Sequence, residues 1–248
     1  TLLDCVKLSN SVDKLWVIDN YPMQGNAWIK DYSPCIEYIE NENTGYGHAH
    51  NIALHKAVEL GSTYHVILNP DIEFSANALK DLASYMDVNT DAGWVMPKVL
   101  YPNGEIQYLC KKLPTPFNLF LRRFLPAWNW VKKMDEDFEL KHTGYDKEMS
   151  VPFLSGCFMF LRVETIAIHN LYFDERFFMY CEDLDLSRRF NQVSKNMYYP
   201  AVSIIHNHEK GSYKSKKLMM CHIQSVLKYF NKWGWIFDNE RKNVNNKI

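Results

Sequence analysis

Apolar positions along this chain follow two rhythms, and the rhythms alternate. Leu2, Leu3, Val6 and Leu8 have the spacing of a short helix. Lys14 to Asn20 is an apolar run of strand type that ends on a carboxylate, Asp19, and is broken by Tyr21 and Pro22. Ile36 to Ile39 predicts a second short strand, running into the polar stretch Glu40 to Gly47. His48 to Leu60 places Ile52, Ala53, Ala57 and Leu60 on one helical face, with Gly61 as the stop. Tyr64 to Leu68 is again a strand, and again it ends in a polar turn, Asn69-Pro70-Asp71. Ser75 is predicted to cap a helix carrying Leu79, Leu82, Ala83 and Met86. Gly93 to Pro97 predicts a strand, and Pro102, Asn103 and Gly104 signal a hairpin turn.

Strand and helix alternating in this way predict an α/β domain with a mostly parallel sheet. In such sheets ligands sit outside the carboxyl ends of the strands. Asp19 and Asp71 both stand just past strand ends.

The rhythm breaks over residues 111–150. Lys111 to Lys133 holds six basic residues, no acidic one, and Phe117, Phe120, Phe124, Trp128 and Trp130; residues 135–146 are polar and acidic. Pro152 to Leu161 restores regularity as one buried strand, and Arg162 to His169 as a short helix. Cys181 to Arg189 predicts a helix with acids at its start and arginines later. Met197 to Tyr199 and Val202 to Ile205 predict short strands, leading to His206 and His208. Leu218 to Phe230 is an amphipathic helix, and the Lys- and Asn-rich end is expected to fray.

Composition narrows the classes. The 248 residues are 47% apolar and 23% charged, enough for a sizeable core, and one domain over 1–248 is expected. A net charge of −1 excludes a globally basic nucleic-acid binder. The six Cys are scattered, with no C-x-x-C pair, which fits a reducing compartment better than a disulfide framework. No signal peptide opens the chain, and no run reaches the ~18–20 apolar residues of a membrane span.

Four groups can carry chemistry. Asp71, after a buried strand, suits a hard divalent cation whose shell a ligand's phosphates complete, though Asn-Pro-Asp also favours a plain turn. Glu182, Asp183 and Asp185 open a helix, where acids complement the helix dipole; alternatively, two adjacent acids can raise one another's pKa toward a base's working range. Asp185 and Arg189 are spaced as an i,i+4 ion pair. His206 and His208, at strand spacing, share one face and form either a metal pair or one ligand and a bystander. Asn43, Gly45 and Gly47 lie in a loop that opens a helix, where backbone N–H groups can approach phosphate, but the third glycine of a dinucleotide fingerprint is absent.

In order, these pieces resemble the inverting family-2 glycosyltransferases of GT-A fold, and more narrowly the rhamnosyltransferase-like enzymes that build bacterial O-antigen and other surface polysaccharides. The matching stretches are Val17 to Asn20, Asn43 to Asn51, Leu68 to Asp71, Phe153 to Cys157, Phe173 to Asp185, His206 to Ser212, and Ser225 to Trp235. The resemblance implies a donor site of Asp19 and Asn20 toward a pyrimidine base, Asn43 and Gly45 toward the nucleoside and pyrophosphate, and Asn69 and Asp71 in the D-x-D-like turn. It implies Asp71 and His206 as ligands of Mg²⁺ or Mn²⁺, Asp183 as general base, and Ser155, Gly156 and Glu182 on the acceptor side. It also implies a dTDP- or UDP-sugar donor, with rhamnose the first expectation, and a glycan or polyisoprenyl-diphosphate-linked acceptor in lipopolysaccharide synthesis. The place of action would be the cytoplasm, with residues 111–133 either touching the inner membrane face, forming a mobile acceptor-side loop, or simply packing. No nucleic-acid partner is expected.

Residues 1–100 would form the nucleotide-binding part, 101–210 the acceptor and catalytic part, and 211–248 a helical extension. The family begins with an apolar strand that this chain does not show, so the sheet is expected to lack it. Two alternatives remain: a non-catalytic nucleotide- or sugar-binding domain, and a metallohydrolase built on His206, His208 and Asp183.

Overall fold

The computed structural model describes residues 2–9, 11–124, 128–207 and 215–248. His208 lies outside the described residues, as do the side chains of Arg122, Arg123 and Phe124. Helix α1 (Leu2–Ser9) precedes strands β1 (Leu15–Asp19) and β2 (Ile36–Glu40), then helix α2 (Tyr46–Glu59). Strands β3 (Tyr64–Leu68) and β4 (Ile72–Phe74), helix α3 (Ala78–Val88) and strand β5 (Ala92–Leu100) follow. The middle holds β6 (Cys110–Lys111), α4 (Pro116–Phe124), α5 (Asn129–Phe138), β7 (Met149–Ser150), β8 (Phe153–Leu154), β9 (Phe158–Arg162) and α6 (Val163–His169). The chain continues with α7 (Glu182–Val193), β10 (Lys195–His206), α8 (Lys216–Trp233) and α9 (Asn239–Asn245).

The central sheet runs β3-β9-β5-β10-β4, with β7 on β10. Its directions are mixed, which corrects the mostly parallel expectation. Among its described neighbouring pairs only β5·β10 is parallel; β3·β9, β5·β9, β10·β4 and β10·β7 are antiparallel, so β3, β5 and β10 share one direction. Alternating strand and helix favours parallel neighbours, but β9 enters between β3 and β5 from far along the chain. The strands β1 and β2 form a separate parallel pair. No described strand bridges β1 and β3, although Trp16 and His65 face each other across that space with ring centroids 6.0 Å apart.

Burial explains the order. Trp94, Val95, Phe158, Met159, Phe160 and Leu161 of β5 and β9 are 0–2% exposed and form the centre of the main core. A second cluster joins Leu113, Phe138, Phe153, Phe177, Leu184, Val226, Tyr229 and Phe230. It is what binds the helical extension to the sheet domain.

Several local expectations shift. Ser75 does not cap α3; its carbonyl accepts the Ala78 N–H and the helix starts there. The run Pro152 to Leu161 is not one strand: β8 ends at Leu154, and Ser155, Gly156 and Cys157 turn before β9. The two short strands near residue 200 are one, β10, with a register shift between Tyr199 and Ser203 around Pro200, which has no N–H to donate. The terminal segment forms α9: Asp238 caps it by accepting the Arg241 N–H, and Asn245 bonds both the N–H and the carbonyl of Leu113. Among the described residues no helix is long and apolar enough to cross a membrane.

Candidate functional site

Three turns converge at one end of the central sheet. The first follows β3. Asn69 N–H donates to the Cys157 carbonyl at 3.0 Å, which ties this turn to the turn between β8 and β9. Asp71 then stands where β4 begins to pair with β10, and its carbonyl accepts the Asn207 N–H at 2.9 Å. That antiparallel register sets His206 opposite Ile72, so its Nε2 lies 3.4 Å from Asp71 Oδ1.

The tautomer of His206 is fixed by Gln107. The Gln107 amide donates to the carbonyls of His206 (2.7 Å) and Leu100 (3.3 Å), which turns its Oε1 toward His206 Nδ1 at 2.9 Å. Nδ1 therefore carries a proton, and Nε2 faces the Asp71 carboxylate. A neutral imidazole nitrogen and a carboxylate oxygen repel unless a proton or a cation lies between them. Oxygen plus imidazole, oriented from behind by an amide, is a donor set suited to Mn²⁺ or Mg²⁺ when phosphate oxygens complete the shell. Among the described residues no group of three or more His, Cys, Asp and Glu side chains is arranged to hold a metal ion by itself, so the protein alone does not supply a closed metal cage.

The second turn is Ser155-Gly156-Cys157. Gly156 N–H donates to Asp183 Oδ2 at 2.9 Å. A β-carbon on Gly156 would stand 2.9 Å from the Asp183 β-carbon and 2.8 Å from the Met159 methyl, so only glycine permits this approach. Ser155 is held beside it by its N–H to the Leu109 carbonyl.

The third turn precedes α7. Tyr180 and Cys181 take φ of 70° and 63°, two consecutive non-glycine residues in the left-handed region. Such backbone costs about 1 kcal/mol or more per residue and persists where surrounding structure fixes it. Its effect is to launch α7 with Glu182 and Asp183 pointing into the site. Asp183 Oδ1 accepts the Leu184 N–H at 2.8 Å. Burial lifts the Asp183 carboxyl above its ordinary pKa, against the pull of the Leu184 and Gly156 N–H groups and the Lys111 charge. Glu182 is 6% exposed, and its Oε2 meets no hydrogen-bond partner among the described residues. Burial first, and the Asp183 charge second, push its pKa well up, so the charged form of Glu182 is disfavoured.

Tyr46, the first residue of α2, stands among all three turns. Its hydroxyl donates toward Gly156 O (3.1 Å) and Asn69 Oδ1 (3.3 Å), and its ring meets His50 at 4.4 Å. The charges of Glu182, Asp183 and Asp71 all reach it. Tyr46 is held by Gly45, whose φ of +125° and close approach to the Phe178 carbonyl admit no side chain; a β-carbon would lie 2.7 Å from that oxygen. Here Gly45 is required by packing within the chain.

Other sequence-selected residues lie apart. Asp19 Oδ2 accepts from Tyr38 (2.5 Å) and Asn26 (3.2 Å), and its Oδ1 accepts the Tyr21 N–H. These bonds, Tyr38 first, lower its pKa. Asn20 Oδ1 accepts from Asn41 at 2.8 Å. Asn43 is exposed on the loop before Gly45. Among the described residues no side-chain hydrogen bond links Asp19 or Asn20 to Asp71 or Asp183; they belong to the β1–β2 pair.

Relatives sharpen this picture. No family model matches the chain. It is 27% identical over 239 residues to the rhamnosyltransferase WbbL of Escherichia coli (strain K12), covering 92% of this chain and 86% of that protein. It is 26% identical over 203 residues to the N-acetylglucosaminyl-diphospho-decaprenol L-rhamnosyltransferase of Mycobacterium tuberculosis (strain ATCC 25618 / H37Rv), covering 75% of this chain and 63% of that one. Its fold matches GalNAc-T7 solved with UDP, GalNAc and Mn²⁺, at a TM-score of 0.61 and 13% identity over 94% of this chain and 43% of that chain. It also matches Staphylococcus aureus TarS 1-349 in complex with UDP, at 0.58 and 13% identity over 99% and 64%. The chain is a glycosyltransferase of GT-A fold, similar over most of its length to rhamnosyltransferases.

Within this transferase, sequence reasoning missed Tyr46 and Gln107. Tyr46 sits between two glycines with no motif of its own, and its half-buried place among the three turns comes from tertiary register. Gln107 carried no motif, and only the β10 register reveals it.

Proposed function

We propose that this transferase moves a sugar, rhamnose first, from a dTDP- or UDP-linked donor to a glycan or polyisoprenyl-diphosphate-linked acceptor, with inversion. Asp183 is the general base. It takes the proton of the acceptor hydroxyl as that oxygen bonds to the anomeric carbon and the nucleoside diphosphate departs with the electrons of the broken C–O bond. Its raised pKa matches that task, and Gly156 and Leu184 fix its two oxygens. Glu182, beside it, keeps Oε2 free of other bonds among the described residues for the acceptor side, where burial disfavours a second charge. Ser155 and Gly156 leave room for the sugar.

Asp71 and His206 would hold Mn²⁺ or Mg²⁺, which when bound neutralises the diphosphate. Asn69, Asn43, Gly45, Asp19 and Asn20 form the donor side. Residues 1–100 then handle the nucleotide and 101–210 the acceptor, with 211–248 as a brace. The work is placed at the cytoplasmic face of the membrane, in O-antigen or related surface-polysaccharide synthesis.

The observation that carries this reading is the meeting of Asp183, Glu182 and Asp71 around Tyr46 and Gly156. Its test is calorimetric titration of UDP and dTDP with and without Mn²⁺. Metal-dependent binding of one nucleotide, lost in Asp71→Ala, is expected. Absence of both would sink the donor site and return the metallohydrolase reading, whose His208 lies outside the described residues. Tight binding with no turnover on any acceptor would favour the non-catalytic alternative.

A further inference from the structure

Two segments far apart in sequence meet on the side of the molecule beyond Lys111. One is the run from Leu113 through α4 to the start of α5. The other is Trp235 to Asn245. Phe120 stacks on Trp235 at 6.4 Å and 12°, Arg241 donates to the Pro114 carbonyl at 3.3 Å, and Asn245 holds both backbone groups of Leu113. Both segments present large apolar side chains outward. Phe117 is 65% exposed, Trp128 52%, Trp130 51%, Ile236 77% and Phe237 93%.

The exposure at Ile236 and Phe237 is built, not frayed. Arg241, itself buried, donates to the carbonyls of both Trp235 and Ile236 at 3.2 Å. Gly234 takes φ +101°, and a β-carbon there would lie 2.9 Å from the Phe237 carbonyl. Asp238, next in the chain, is 8% exposed and locked by Arg188 at 2.7 and 2.8 Å. A backbone fixed on both sides thus holds two apolar side chains in water. Exposed apolar clusters of this kind mark an interaction surface.

Charge selects the partner. Lys132 and Lys133 are exposed directly after the two tryptophans, and residues 111–133 contain six basic and no acidic residues. Amphipathic aromatic rings beside lysines suit the headgroup layer of an anionic bilayer better than a protein surface. The face is also joined to the reacting end. The strand β6 carries Lys111, whose charge bears on Asp183, and leads straight into α4.

We propose that α4, the start of α5 and the Trp235–Phe237 segment form one docking face for an anionic membrane surface. The inference deepens the lipid-linked acceptor reading and rests on it for its purpose. Binding to vesicles needs neither donor nor turnover, so each can fail alone.

The test is co-sedimentation of the protein with vesicles of phosphatidylcholine, and of phosphatidylcholine mixed with phosphatidylglycerol. Two paired variants, Trp128→Ser/Trp130→Ser and Ile236→Ser/Phe237→Ser, are compared at matched melting temperature. Binding to the mixed vesicles is expected, with each pair weakening it by about tenfold. No binding, equal binding to both lipids, or loss in only the first pair would overturn the single anionic face. Self-association that disappears in both variants, without vesicle binding, would overturn it too and assign the face to a second copy.

Discussion

Asp185 and Glu182 stand one turn apart on α7 and are both buried, yet their surroundings are opposite. Asp185 is fully buried and fully engaged: Oδ2 accepts from Arg189 (2.9 Å), and Oδ1 from Trp233 Nε1 (2.8 Å) and Lys232 (2.6 Å). Glu182 is also buried, but its Oε2 has no hydrogen-bond partner among the described residues and the charge that bears on it is a like one, Asp183. The same contrast runs along the helix. On its far side Arg188 forks onto Asp238, reaches Glu240 and the Tyr229 hydroxyl, and stacks 4.1 Å from the Trp233 ring. Acids that hold the helix to α8 and α9 are satisfied within the protein. Acids that face the turns are left with capacity for something else, and the strained backbone at Tyr180 and Cys181 stands at that end only.

Breaking the comparison at its reactive side gives the largest expected effect. Asp183→Asn keeps the shape but removes the proton acceptor. Transfer is expected to fall by about 10²–10⁴-fold with donor affinity and melting temperature near those of the parent. Unchanged turnover in steady-state assays would remove Asp183 as the base. On the braced side the effect moves from rate to stability. Arg188→Ala strands the buried Asp238 without its partner, for a loss of about 3–5 kcal/mol in denaturant unfolding. A loss near that of a surface pair, about 1 kcal/mol or less, would show the cluster is not what fixes α7.

The sequence carried much of the fold because period and punctuation are local. The strand β3 has its predicted bounds, and the Asp185–Arg189 pair is where i,i+4 spacing put it. Strand direction was not legible, because it depends on which distant segment enters the sheet, and β9 does so from beyond α5. The break at Ser155-Gly156-Cys157 was hidden for a related reason. Ser155 and Gly156 are a turn dipeptide, but they lie inside a long apolar run between buried strands, and the approach of Asp183 is what uses the turn. The acids at the start of α7 were visible, but spacing alone left dipole complement and base chemistry open; burial and partners separate them. Tyr46 and Gln107 depend on tertiary register and left no pattern to find.

The smallest effect is also the sharpest probe of the contrast. Glu182 has a folded-state pKa well above its ordinary value of about 4.3, because burial and then Asp183 disfavour its charge. Below that ordinary value, Glu182 is protonated in both folded and unfolded chains and costs nothing. As pH rises past it, the unfolded chain releases the proton while the folded chain retains it, so stability is lost progressively until the folded pKa is reached. Glu182→Gln keeps the shape and cannot titrate. The two proteins should therefore melt together near pH 4, and the variant should melt higher at neutral pH, the gap opening steadily between. Thermal melts of both across that range decide it, since every other titrating group is shared. Parallel curves would mean that Glu182 ionises in the fold as freely as in the unfolded chain, and that the unsatisfied end of α7 is no different in kind from the end that Arg188 holds.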